Sequence, residues 1–216
     1  MSGHRCLAWV AGLSMVLLNQ VVAAQTDCVP VHLRLDPAIA NTSRSPFAGK
    51  ALGQTFFASD TLVSRITVWR PPNNRSVIGA HLYVTGVNAN LRPDVSQMLL
   101  DGPTVNVFDS NPPGQIIEMS FDLVTPLALP QPGTYAFFVQ AAGCHQAAAW
   151  QILASQTNPY PDGLYWITGS VSSPCHLRAV DGGSDNTDLL FDIEFCSAGI
   201  TSSRGRTWGG VKVIYR

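Results

Sequence analysis

The stretch PQPGTYAFFVQAAGC, which ends at Cys144, limits what this 216-residue chain can fold into. Its Pro132-Gly133 pair predicts a turn, because proline presets φ and glycine accepts positive φ. The residues that follow are apolar on both faces of an extended strand: Tyr135, Phe137 and Val139 on one face, and Ala136 and Phe138 on the other. We therefore expect a central strand that is covered on both sides, as in a β-sandwich.

Shorter segments with apolar residues at every second position predict the strands around it. The clearest are residues 117–123 and 189–195, where apolar side chains alternate with acidic and polar ones. Turn-forming Pro, Gly, Asn and Asp separate about nine such strands, and helical periodicity is almost absent. This count and spacing predict an all-β fold, an antiparallel β-sandwich of jelly-roll type.

The N-terminus predicts export. The basic MSGHR precedes the apolar CLAWVAGLSMVLL, and small residues at 22–24 offer a cleavage site before Gln25. We therefore predict a signal peptide at residues 1–24, a sandwich domain at 25–196, and a linker with a C-terminal tail at 197–216. The expected location is secreted, periplasmic or at the cell surface, and no later apolar run is long enough to span a membrane.

Cysteine use agrees with an oxidising compartment. Removal of Cys6 with the signal peptide leaves four of the five cysteines, and four cysteines in an exported chain predict two disulfides. Three pairings are open. We favour Cys28 with Cys196, which would join the N-terminal arm to the last strand, and Cys144 with Cys175, which would bridge two loop ends.

The charge balance argues against two classes of partner. Arg5 is the only one of the 13 basic residues that leaves with the signal peptide, so twelve face 14 acidic residues in the remaining chain. A net charge near −2 gives no basic patch for nucleic acid and no polybasic segment for anionic membranes. The low charged fraction, 12%, is typical of extracellular β domains.

Four segments, taken in their order along the chain, resemble a known class of secreted module: GQTFFA, LVSRITVW, PLALPQPGTYAFFVQ and DLLFDIEF. Between residues 52 and 196 the chain resembles uncharacterised bacterial secreted jelly-roll modules of the carbohydrate-binding-module type. Such modules accompany carbohydrate-active or cell-surface proteins, and some carry C-terminal sorting tails. The resemblance implies a fold and a binding role more than a particular ligand.

Aromatic residues form the first candidate site. An exposed ring can cover the apolar face of a sugar while neighbouring polar groups bond its hydroxyls. We predict ligand contact at residues of the segment between Cys144 and Cys175 and at one outward position on an earlier strand: Trp150, Tyr160, Tyr165, Trp166 and Trp69. The alternative is that these rings pack in the core.

The pattern of ligand types offers two candidate metal sites. Asp181, Asp185 and Asp188 fall in the loop VDGGSDNTDLLFD, whose oxygen density predicts a structural Ca²⁺, although turn-forming Asp is common in β proteins. The dipeptides Cys144-His145 and Cys175-His176 offer a Cys₂His₂ zinc set. A disulfide between the two cysteines is the favoured alternative.

Catalytic motifs are absent from the sequence, so we predict no enzyme. Glu118, Asp122 and Glu194 are outward carboxylates that we interpret as a solvated sheet face rather than a glycosidase pair. The tail TWGGVKVIYR is apolar and basic, and would either add a strand to a partner's sheet or pack on its own domain. The expected function is a secreted, non-catalytic binding module at the cell surface with a glycan partner. The alternative is a structural, surface-associated protein that docks through the tail.

Overall fold

The computed structural model describes residues 28–72, 79–106, 114–144, 150–172 and 174–198. The signal peptide predicted at 1–24, His145 of the proposed zinc set and the tail at 207–216 lie outside these residues. Two single-turn 3₁₀ helices, Pro37–Ile39 and Ala142–Cys144, accompany thirteen strands in the described part. The strands are β1 (Cys28–Arg34), β2 (Thr42–Arg44), β3 (Ala51–Ala58), β4 (Leu62–Arg70), β5 (Ala80–Val87), β6 (Pro93–Val105), β7 (Ile117–Ala128), β8 (Gly133–Ala141), β9 (Ile152–Ser155), β10 (Tyr165–Thr168), β11 (Val180–Ser184), β12 (Asp188–Leu189) and β13 (Phe191–Ala198).

Eight long strands form a jelly roll. The four-stranded sheet has the order β1-β13-β4-β7, and the six-stranded sheet has the order β11-β10-β3-β8-β5-β6. Numbered along the chain, the eight long strands alternate between the sheets as 1-8-3-6 and 2-7-4-5, which is the jelly-roll order. All the pairings are antiparallel, so the predicted fold class is confirmed.

The strand count is higher than predicted because β2, β11 and β12 are added to the predicted strands, two of them in an insertion between β8 and β13 whose β9 and β10 match strands predicted at 147–154 and 163–168. There β10 and β11 extend the six-stranded sheet, while β9 and β12 join β2 in a small three-stranded sheet. These added strands have two to five residues each. β2, β11 and β12 show too few alternations to be separated from loops by sequence period alone.

The main core lies between the two large sheets. Fully buried side chains from both inner faces meet there: Leu52, Phe56, Leu82, Phe137 and Val139 from the six-stranded sheet, and Ile66, Val68, Phe121, Phe191 and Ile193 from the four-stranded sheet. The start of β8 is held by Tyr135, whose hydroxyl donates to the carbonyl of Gln131 at 2.6 Å. This bond fixes the turn between β7 and β8 much as a tyrosine corner does in other sandwiches.

The described chain begins and ends at one end of the sandwich, which we call the proximal end. Cys28 lies opposite Ala198 in the pairing of β1 with β13, and Cys28 is joined to Cys196 by a disulfide. The β5–β6 and β7–β8 turns lie at the same end. The predicted pairing of Cys28 with Cys196 is therefore confirmed, as is that of Cys144 with Cys175.

A second apolar layer covers the outer face of the six-stranded sheet. Residues 169–172 and 174–179, which we call the strap, lie between β10 and β11, and the disulfide from Cys175 to Cys144 ties them to the turn that follows β8. Leu177 of the strap packs with a buried cluster on the sheet: Ala51, Tyr83, Ala136, Phe138, Trp166 and Val180. Beside this cluster the buried amide of Gln140 accepts from Tyr83 Oη at 3.0 Å and donates to the carbonyl of Gly49 at 2.6 Å. The outer face of the four-stranded sheet, by contrast, presents mostly polar side chains.

Candidate functional site

The aromatic side chains predicted to contact a ligand do not form an exposed platform. The main core cluster includes Trp150, Tyr160, Tyr165 and Trp69, the last from an outward position on β4, and the second apolar layer includes Trp166. All five are buried, and the most exposed of them reach 9%. The prediction of exposed rings is wrong because alternation gives the face of a side chain but not what lies over that face.

Two of these rings show what covers them. Trp166 faces outward but lies under Arg92, whose guanidinium carbon is 5.9 Å from the ring centroid. Gly183 on the next strand leaves room for the indole, since a Cβ there would be 2.8 Å from the Trp166 ring. Trp69 also faces outward, and Arg34 stacks 5.2 Å from its centroid in a cation–π contact.

The three aspartates predicted to bind calcium do not converge. Asp181 is exposed and pairs with Lys50 at 3.5 Å, and Asp185 is exposed. Asp188 is buried and accepts from Gln54 Nε2 at 2.7 Å and from the backbone N–H of Tyr160 at 3.0 Å. Across the described ranges no three His, Cys, Asp or Glu side chains are arranged to hold a metal ion, so the structure does not bring the three predicted calcium ligands together. The zinc alternative fails because the sulfurs of Cys144 and Cys175 are bonded to each other.

The outward carboxylates of the four-stranded sheet lie in a network of polar contacts. Arg65 Nε donates to Asp122, and its Nη1 approaches Glu194 at 3.4 Å. Glu118 accepts from Ser120 Oγ at 2.6 Å. Because each carboxylate is held by a neighbouring donor, the arrangement resembles an ordinary polar sheet face.

A cleft with both polar and apolar walls lies at the proximal end. It has a volume of about 320 Å³ and lies between the β5–β6 turn and the β7–β8 turn. Its lining comes from both turns and the strands beside them: Gly86, Val87, Leu91, Gln97, Leu99, Pro130, Gln131, Gly133, Thr134 and Tyr135. This volume is at the lower end of the range for small-ligand sites.

A β-bulge shapes one wall of the cleft. Thr85 lies opposite Met98 but Gly86 lies opposite Asp94, so β6 carries residues 95–97 as an outward loop. The bulge places the Gln97 amide against Gly86, where a Cβ would be 2.6 Å from Gln97 Oε1. Gln97 Nε2 donates to Asp94 Oδ2 at 2.8 Å, which fixes the orientation of the amide. Bulges of this kind commonly re-aim a side chain near a functional site.

Leu91 at the mouth of the cleft is held in an unfavourable backbone conformation. Its φ is 58°, a region that leucine rarely adopts, and its side chain is 55% exposed. The turn enforces this conformation, because Asn88 Oδ1 accepts from the N–H groups of Asn90 and Arg92 and the Asn88 carbonyl accepts from Leu91. An exposed leucine gains little from packing, so the sequence retains a residue that the turn itself disfavours.

The chemistry of the cleft is uncharged. None of the described side chains that line it is acidic, basic or histidine. Leu91, Leu99 and Pro130 supply apolar surface, while the amides of Gln97 and Gln131 supply donors and acceptors. Tyr135 is the one aromatic residue among the described side chains of the lining, and its hydroxyl donates to the carbonyl of Gln131. Such a cleft suits a neutral ligand with both an apolar face and hydroxyl or amide groups.

Sequence reasoning did not find this cleft. Pro132-Gly133 predicts the β7–β8 turn, but the bulge in β6 and the approach of the two turns depend on strand register. The only local signal was the single leucine in the polar turn NANLRPD.

The sequence matches no protein-family model, and no curated protein is significantly similar to it. In the described ranges no helix has the length and apolar character needed to cross a membrane.

Proposed function

We propose that this protein is an exported, non-catalytic module that binds a neutral saccharide in the proximal cleft at the cell surface. Two disulfides support an oxidising location. The uncharged walls of the cleft support a neutral ligand. The apolar groups of Leu91, Leu99 and Pro130 would cover the face of a sugar ring, and the amides of Gln97 and Gln131 would bond its hydroxyls.

The observation that carries this proposal is the strained backbone and the exposed side chain of Leu91. A left-handed backbone conformation costs a non-glycine residue about 1 kcal/mol, and Asn tolerates it better than most residues. A leucine that is both strained and 55% exposed is explained if its side chain contacts a ligand. Stability and binding should then respond to its replacement in opposite directions.

Leu91→Asn is therefore expected to leave the free energy of unfolding unchanged or to raise it by up to about 1 kcal/mol, while weakening saccharide binding about tenfold. Binding of the disulfide-bonded protein would be screened on a panel of neutral and charged glycans, and then titrated by calorimetry. Denaturant unfolding would give the stability. Val124→Asn, at a fully exposed site on β7, is the matched control and should change neither binding nor stability appreciably.

Three results would contradict the proposal. No binding to any neutral glycan would remove the ligand class, and binding to charged glycans alone would conflict with the uncharged walls. Equal binding by wild type and Leu91→Asn would place the ligand outside the cleft.

A further inference from the structure

A second groove at the proximal end has a different character. It has a volume of about 250 Å³ and lies between β1 of the four-stranded sheet and the end of β3 in the six-stranded sheet. Val31, Leu33 and Phe195 form one wall, and Phe57, Tyr160 and Asp162 form the other. We call it the β1 groove.

The β1 groove exposes apolar side chains that the sandwich does not cover. Val31 lies opposite Phe195 on the inner face of its sheet, yet Val31 is 42% exposed while Phe195 is 1% exposed. Val29, two residues earlier on the same face, and Phe57 across the groove are each 52% exposed. An apolar cluster at an unpaired sheet edge favours a partner that buries it.

The free edge of β1 restricts how that partner binds. The N–H of Leu35 donates to the carbonyl of Phe191, so the odd-numbered residues of β1 point their backbone groups toward β13. Pro30 therefore faces the open edge, where it has no N–H to offer. A continuous added strand is impeded, and the groove is better suited to side chains inserted between the two walls.

We propose that the β1 groove binds residues 211–216 of the same chain, VKVIYR. Alternation puts Val211, Val213 and Tyr215 on one side of this segment, which matches an apolar groove. Lys212 and Arg216 would lie near Asp162 on the rim, whose carboxylate forms no ion pair with any described residue. The proposal is independent of the saccharide cleft.

Proximity favours the chain's own segment over that of another molecule. Ala198 lies opposite Cys28, and Val31 is three residues further along β1, about 10 Å away at 3.3 Å per residue. Twelve residues separate Ala198 from Val211, which is ample length to reach the groove. A tether of this kind gives an effective concentration of about 1 mM, well above that of a second copy in solution.

Limited trypsin digestion of the full disulfide-bonded chain tests this inference. Cleavage after Lys212 should be slow relative to cleavage after Arg206, which lies between the domain and the bound segment. Phe57→Ser should accelerate cleavage at Lys212 about tenfold and leave cleavage at Arg206 unchanged. Val31→Ser, in the opposite wall, should act in the same direction.

Phe47→Ser is the matched control, because Phe47 is also 52% exposed but does not line the groove. Its cleavage pattern should equal that of the wild type. The inference is overturned if Lys212 is cut as fast as Arg206 in the wild type, or if Phe47→Ser acts like Phe57→Ser. Protection of Lys212 that rises with protein concentration would also overturn it, because the occupant would then be a second copy.

Discussion

Asp188 is a buried carboxylate that connects three parts of the molecule. It lies on β12, accepts from Gln54 on β3, and accepts from the backbone of Tyr160 in the loop before β10. Gln54 cannot rotate freely, because its Oε1 accepts from the N–H of Leu189 at 3.1 Å. Burial raises the pKa of Asp188, and the two hydrogen bonds that it accepts oppose this rise.

Asp188→Asn is expected to lower the free energy of unfolding by about 1–3 kcal/mol at neutral pH, because an amide N–H₂ would face one of two donors. The pKa of Asp188 in the folded chain is raised above its ordinary value of 3.8. The contribution of this carboxyl to the free energy of unfolding therefore decreases as the pH rises above about 3.8. The asparagine variant should lack this fall. Denaturant unfolding of both proteins across the acidic range measures it, and equal pH profiles would contradict the assignment.

Tyr165 is expected to make the stability of the fold depend on pH in the alkaline range. Burial raises its pKa to about 12 from an ordinary value of 10.0. The folded chain therefore keeps this proton when the unfolded chain releases it, and stability is lost as pH rises from about 10 to about 12. The loss from this residue approaches 1.4 kcal/mol per pH unit. Tyr165→Phe should show a shallower decline in denaturant midpoint over that interval, and an identical decline would show that Tyr165 is accessible.

At the scale of the element, the strap shields the outer face of the six-stranded sheet from solvent. It covers Trp166 and its neighbours, and its own Val171 and Leu177 are buried. It contributes no long strand, so its position depends on these apolar contacts and on the Cys144–Cys175 disulfide.

Replacing both cysteines of that disulfide by serine should therefore release the strap. The loop that the disulfide closes spans 31 positions, and its loss is expected to cost about 2–4 kcal/mol. Hydrogen exchange should rise first in residues 174–179, with a red shift of tryptophan fluorescence as Trp166 meets water. The same double substitution at Cys28 and Cys196 is the comparison, and it should affect β1 and β13 instead. Unchanged exchange in the strap would show that apolar contacts alone hold it.

Most of the long strands could be predicted from sequence, whereas β6 and the strap could not. β7, β8 and β13 alternate over enough residues for period two to be visible, and the disulfide partners lie at element ends. Residues 169–179 have no period and carry only scattered apolar residues, so nothing local shows that they return over a sheet. Alternation likewise places Trp69 on an outer face but does not show that its ring is buried.

At the scale of the whole molecule, the jelly-roll order brings distant turns to the proximal end. The β5–β6 turn, the β7–β8 turn, the start of β1 and the end of β13 all lie there. The proximal cleft and the β1 groove are both consequences of that convergence. No contiguous sequence motif predicts either of them, because the residues of each come from strands far apart in sequence.

The pairing of the first described strand with the last also has a mechanical consequence. The Cys28–Cys196 disulfide spans 168 positions and lies where both ends of the domain leave the sandwich. Tension applied through the two flanking chain segments would pass across this covalent bond instead of through the strands that lie between. Hydrogen-bonded strands would otherwise be sheared apart one after another. A module anchored at one end and pulled at the other would therefore keep its folded shape, and its binding cleft, under load.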